Sequence, residues 1–133
     1  MQITPYLSFD GRCEKAVEFY KSRLGAQLMF ITKFKDAPPD SQHMGKPDDV
    51  MHCTLKIGDS ILHASDGVEA GKGEMKGITL SISSKDVAEG KRLFDALSEK
   101  GQVVMPFQKT FWAEGFGMVN DQFGVPWMVN VEA

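Results

Sequence analysis

The chain has 133 residues, enough for one domain that buries its own core. With 18 acidic against 15 basic residues and no Lys/Arg block longer than Lys91-Arg92, it offers no electrostatic footprint for nucleic acid or an anionic membrane. The first residues lack a basic stretch leading into an apolar one, no apolar run nears membrane-spanning length, and Cys13 and Cys53 lack CxxC spacing, so a cytoplasmic protein with two buried free thiols is expected.

A first strand is expected from about Ile3 to Phe9. Asp10-Gly11 then opens a helix, with one of the two as its N-cap and Glu14 in the acid-favouring first turn. Cys13, Ala16, Val17, Tyr20 and Leu24 recur at helical spacing, and Gly25 supplies the stop. Ala26 to Phe34 reads as a strand. The stretch from Lys35 to Asp49 carries Pro38, Pro39 and Pro47 and is too long for an ordinary connection, which leaves a lid and an unstructured segment as alternatives.

The run from Met51 to Ser65 reads as a hairpin. Met51, Cys53, Leu55 and Ile57 alternate with His52, Thr54 and Lys56, Gly58-Asp59 turns the chain, and Leu62 and Ala64 alternate with Ile61, His63 and Ser65. A two-residue loop with glycine first predicts a type II′ turn, and that register sets Ile57 opposite Ser60, Thr54 opposite His63 and His52 opposite Ser65. Two histidines and two hydroxyls then share one face, and the other face is apolar enough to pack on a helix.

The order repeats in the second half. A strand at Ile78–Ser83 leads to a helix capped by Ser83 or Ser84, with Val87, Leu93, Phe94 and Leu97 as its apolar stripe and Gly101 as its stop. Strands follow at 102–108, 116–119 and 125–131. Both halves, about 1–70 and 75–133, are thus strand, helix, then three strands. Single helices separated by three-strand meanders cannot build a doubly wound parallel sheet, so the expected class is α+β. The expected architecture is a pair of βαβββ modules in one domain, with mostly antiparallel curled sheets forming a cleft and helices on the outer faces.

Certain segments carry a family resemblance over essentially the whole chain. They are Pro5-Tyr6-Leu7-Ser8-Phe9-Asp10-Gly11, the helix from Ala16 through Phe19-Tyr20 to Leu24-Gly25, His52, and Glu89-Gly90-Lys91-Arg92-Leu93-Phe94. They continue with Thr110-Phe111-Trp112-Ala113, Gly115-Phe116-Gly117, and 121–130, Asp-Gln-Phe-Gly-Val-Pro-Trp-Met-Val-Asn. In these the chain resembles the vicinal oxygen chelate superfamily of glyoxalase I, extradiol dioxygenases and bleomycin or fosfomycin resistance proteins. Within it the chain is similar to the PhnB-like group, whose label is a 3-demethylubiquinone 3-methyltransferase-like domain. The resemblance implies a homodimer with a ligand pocket.

Metal-dependent members place one ligand on the first and last strand of each half, which the resemblance carries to Thr4 or Pro5, His63, Gly77 or Ile78, and Met128. Only His63 suits a divalent ion there, so no metal is expected. Nor is a methyl donor, because Asp10-Gly11-Arg12 and Ser83-Ser84-Lys85 hold one glycine between them, where a nucleoside cofactor needs a glycine-rich turn. His52 is the first candidate for general acid–base work, and Glu114, bracketed by aromatics, is the second. The expected pocket lining is His52, His63, Ser65, Thr79, Trp112, Met128 and Asn130. The functional expectation is a small-molecule binding protein or metal-independent enzyme. Its alternatives are a metal-dependent glyoxalase- or dioxygenase-type enzyme using His63 and His52, and a protein interaction module.

Overall fold

A computed structural model describes residues 1–40, 42–67 and 74–133. The chain divides into two compact units, Met1–Gly73 and Glu74–Ala133. The first holds β1 (Tyr6–Ser8), α1 (Cys13–Leu24), β2 (Gln27–Lys33), β3 (Val50–Ile57) and β4 (Ser60–Ser65). The second holds β5 (Leu80–Ser84), α2 (Val87–Ser98), β6 (Gln102–Gln108), β7 (Ala113–Asn120) and β8 (Pro126–Glu132). Each is therefore the α+β module expected, with a four-stranded sheet in the order β1-β4-β3-β2 or β5-β8-β7-β6. The meander strands pair antiparallel, and the first strand of each module closes the sheet by running parallel to the last. Among the described residues no helix is long and apolar enough to cross a membrane.

Local chemistry explains where the elements stop, and it corrects both expected helix starts. Asp10 and Gly11 are not the cap of α1. Both sit at left-handed φ, 50° and 87°, and form the turn itself. Arg12 occupies the cap position without a side-chain capping bond to the helix, and the orphan N–H of Cys13 instead donates to Asp66 Oδ1 at 2.8 Å. In α2 the cap is Asp86, whose carboxylate accepts from Ala88 N–H, and Ser84 binds behind it to the Asp86 N–H and to Glu89. Gly25 ends α1 at φ 68° as expected. Gly101 has a different role: Lys100 takes the left-handed φ of 57°, and a Cβ on Gly101 would run into the Asn120 carbonyl.

The hairpin holds its expected register. Gly58 has φ 56° and Asp59 does not enter the positive region, the signature of a type II′ turn, and Ile57 faces Ser60 while Thr54 faces His63. α1 covers one face of this sheet with Cys13, Ala16, Val17 and Tyr20, all within 2% of full burial, against the buried Cys53, Leu55, Leu62 and Ala64. The two free thiols meet there, Cys13 Sγ lying 3.8 Å from Cys53 Sγ. Their mutual hydrogen bond, with burial behind it, pushes the Cys13 thiol up and keeps it protonated.

The proline-rich stretch after β2 is folded in its described residues. Phe34 plugs the core at 2% exposure, its N–H donates to the Asp49 carbonyl at 3.1 Å, and the Lys35 N–H donates to Pro47 at 3.0 Å. Gly45 lies against the Phe34 ring, where no side chain fits. One short 3₁₀ turn stands at Phe34–Asp36 and another at Gln42–Met44.

In the second unit Phe107 lies over three glycines, Gly90 of α2 and Gly115 and Gly117 of β7, and meets Phe94 at 5.7 Å between ring centroids. Alternate glycines on the helix-facing side of β7 are thus a packing device, because a Cβ at Gly115 would strike the Phe107 ring and one at Gly117 the Phe94 ring.

Asp66, 5% exposed, also accepts from Val50 N–H at 2.8 Å, so one carboxylate caps α1 and the start of β3. Asp66→Ala strands two buried N–H donors and should lower unfolding stability by about 3 kcal/mol, measured by urea denaturation.

Candidate functional site

Period-two alternation leaves the face of the first sheet opposite α1 to the other half of each strand. Backbone register aligns one residue from every strand across it: Tyr6 of β1, His63 of β4, Thr54 of β3 and Phe30 of β2. His52 stands two residues from Thr54 on the same face, in register with Thr32 of β2. His52, Thr54 and His63 are half-buried, whereas Tyr6 and Phe30 are 52% and 55% exposed.

These side chains form one hydrogen-bonded chain. The Tyr6 hydroxyl lies 3.3 Å from His52 Nδ1, Thr54 Oγ1 lies 3.3 Å from His52 Nε2, and the same Oγ1 lies 3.1 Å from His63 Nδ1. Ring centroids of His52 and His63 are 5.0 Å apart, and Phe30 flanks His52 at 6.3 Å. Burial, reinforced by a charge on His63, holds the His52 imidazole below its ordinary 6.5. A largely neutral imidazole at neutral pH, bonded through both nitrogens to hydroxyls, can accept and pass on a proton without leaving its place.

The remaining expected site residues fall out differently. Ser65 pairs in register with Ser8 and is buried, and its hydroxyl accepts from Gly67 N–H at 3.1 Å, which makes it a turn holder. In the second unit Met128 and Asn130 of β8 are half-buried, in register with Ser81 and Ser83 of β5, and Asn130 Oδ1 is buried with no hydrogen-bond partner among the described residues. Thr79 stands just before β5 and is half-buried. Trp112 is 48% exposed, edge-on to Phe111 at 4.8 Å and to Phe116 at 5.4 Å, so it belongs to a surface aromatic cluster. Glu114 is exposed at the bulge where the pairing of β7 with β8 skips from Ala113 to Gly115. The enclosure that would equip it for proton transfer is therefore absent within its own unit.

Tyr6 and Phe30 are the residues missed from the sequence. Tyr6 had a signal: it alternates with Leu7 in a strand, on the side away from the helix. Nothing local tells that this strand lies beside β4, the pairing that brings Tyr6 within reach of His52, 46 residues away in the chain.

The donor set does not fit a metal. Among the described residues no three His, Cys, Asp or Glu side chains converge, and both nitrogens of His52 already face hydroxyls. A nucleoside cofactor fits no better: the first N–H of α1 is taken by the Asp66 carboxylate, and the start of α2 is taken by Asp86.

Residues 1–130 match the family model described as 3-demethylubiquinone-9 3-methyltransferase. The chain is 41% identical over 140 residues to protein YjdN of Escherichia coli K12, covering 98% of this chain and 95% of that one. It is 42% identical to protein PA1353 of Pseudomonas aeruginosa, whose crystal structure superposes with a TM-score of 0.88 over 99% of this chain and 98% of the other. A PhnB protein from Bacillus cereus, 23% identical, shares the fold at a TM-score of 0.84, covering 98% of this chain and 99% of its own.

Histidine titration followed by NMR should place the His52 midpoint below 6.5, and His63→Gln should raise it by removing the second charge. The sign for stability follows from proton counting. Between the depressed midpoint and 6.5 the unfolded chain binds more protons, so stability falls as pH drops through that window and is unaffected above it.

Proposed function

The chain belongs to the 3-demethylubiquinone-9 3-methyltransferase (PhnB-like) family and has the vicinal oxygen chelate fold, and we propose that it binds a small molecule without a metal ion. The ligand lies against the Tyr6, His52 and His63 face of the first sheet, and any chemistry there is proton transfer with His52 as the acid–base group. One observation carries this reading: two imidazoles and a phenol are joined by hydrogen bonds on a sheet face where, among the described residues, no carboxylate or third imidazole joins them to make a metal site. The exposed Phe30 and Tyr6 rings give a planar or apolar ligand body something to lie on. Methyl transfer is not part of the reading, because the turns entering both helices are closed by carboxylates.

Incubation with Zn, Ni, Mn and Fe salts followed by mass spectrometry of retained metal should find far less than one ion per chain. One tightly held ion per chain overturns the metal-free reading and favours the glyoxalase-type alternative. A thermal-shift screen of metabolites should yield ligands whose stabilisation is lost in His52→Gln, and hits indifferent to that substitution would move the site elsewhere.

A further inference from the structure

Resting on that reading and deepening it, the geometry points to a proton relay through Tyr6, His52, Thr54 and His63, with Tyr6 and His63 as its ligand-facing ends and Thr54 as the positioning residue that couples the two imidazoles. Thr54 joins the two rings. Its hydroxyl lies 3.3 Å from His52 Nε2 and 3.1 Å from His63 Nδ1, and it owns one proton. A neutral imidazole has one N–H and one lone pair, and a hydroxyl accepts twice but donates once, so when the Thr54 proton is spent within the chain one facing nitrogen donates to Thr54 and the other accepts from it. In that arrangement the tautomer of His52 sets the tautomer of His63, whereas two donating nitrogens would send the Thr54 proton to a partner outside the chain.

The other contact of His52 extends the rule to Tyr6. When His52 Nε2 carries the proton, it donates to Thr54 Oγ1, Thr54 donates to His63 Nδ1, and His52 Nδ1 accepts from the Tyr6 hydroxyl. His63 then carries its proton on Nε2, the nitrogen that no hydrogen bond among the described residues occupies. In the opposite state every bond reverses: His63 Nδ1–H donates to Thr54, Thr54 donates to His52 Nε2, and His52 Nδ1–H donates to the phenol oxygen. Both states are fully bonded, and both keep the two imidazoles neutral. The lowered His52 basicity agrees with that, since burial first and a charge on His63 second disfavour its protonated form.

Conversion between the states moves one proton in and one proton out. A ligand X–H bond breaks as its proton passes to Tyr6 Oη, and the Tyr6 proton passes to His52 Nδ1. The His52 Nε2 proton then passes to Thr54 Oγ1, the Thr54 proton to His63 Nδ1, and the His63 Nε2 proton to a second atom of the ligand. No net charge, electron or water is consumed. The relay returns to its starting state when His63 Nε2 takes a proton from water and Tyr6, which is 52% exposed, releases one to water. The ligand class this suits is a tautomerising molecule that loses a proton at one atom and gains one at another. The 6.2 Å between the Tyr6 and His63 rings sets the scale of its span.

The test reads the histidine nitrogens directly and needs no ligand, so its failure is distinguishable from a failure of the binding reading, which the thermal-shift screen reports. Long-range proton–nitrogen NMR on protein with labelled histidine, above the histidine titrations, should show one of His52 Nε2 and His63 Nδ1 protonated and the other bare. Tyr6→Phe should shift the His63 tautomer populations although the phenol does not bond His63. Thr54→Val should abolish the correlation between the rings, and Thr54→Ser should restore it. The same protonation state at both facing nitrogens overturns the relay. So do unchanged His63 tautomer populations in a folded Thr54→Val protein.

Discussion

A buried carboxylate at the end of β4 holds the first unit in register. Asp66 accepts from the Cys13 N–H that opens α1 and from the Val50 N–H that opens β3. Its own N–H donates to the Val50 carbonyl, and its carbonyl accepts from Asp10 N–H. Burying a charge is costly unless hydrogen bonds replace its hydration, and here backbone donors from two segments do so. The consequence for the site is geometric. β3 and β4 are pinned at one end by Asp66 and at the other by the Gly58-Asp59 turn, so the strands between them cannot slip by a residue without moving His52 and His63 to the helix side. The second unit has its own buried carboxylate in another place: Asp121 accepts from Phe123 and Val125 N–H and from Trp127 Nε1, closing the β7–β8 hairpin.

The two sheets share topology and differ in chemistry. Across the first, aligned positions carry Tyr6, His63, Thr54 and Phe30. Across the second, the corresponding strands align Ser81, Met128, Met118 and Met105. Where one half has groups that exchange protons, the other has thioethers that adapt to an apolar shape. The family membership fits this division without naming a reaction, since one fold hosts many sites.

Legibility in the sequence followed the range of the interaction. The hairpin register was readable because alternation and a Gly-Asp turn act within a few residues, and so were the apolar stripes of both helices apart from Val87, which the first turn of α2 leaves exposed. The cap of α1 was not, because the rule for caps looks next door and Asp66 lies 53 residues away. Tyr6 escaped for the same reason, its partner His52 being brought alongside only by the parallel closure of the sheet. Glu114 misled in another way. Its aromatic and glycine neighbours suggested enclosure, but Gly115 and Gly117 make room for Phe107 and Phe94 on the opposite face, and the bulge leaves the carboxylate at the surface.

In the proposed binding mode the ligand is held by the Tyr6 and His63 ends of the hydrogen-bonded chain. A high-resolution crystal structure of the protein soaked with the best metabolite from a binding screen addresses it most directly. That mode requires ligand density with one polar atom within hydrogen-bond distance of Tyr6 Oη, another within that distance of His63 Nε2, and its body against Phe30. Ligand held by Met128 and Asn130, with Tyr6 and His63 left bonded only to water, would contradict it.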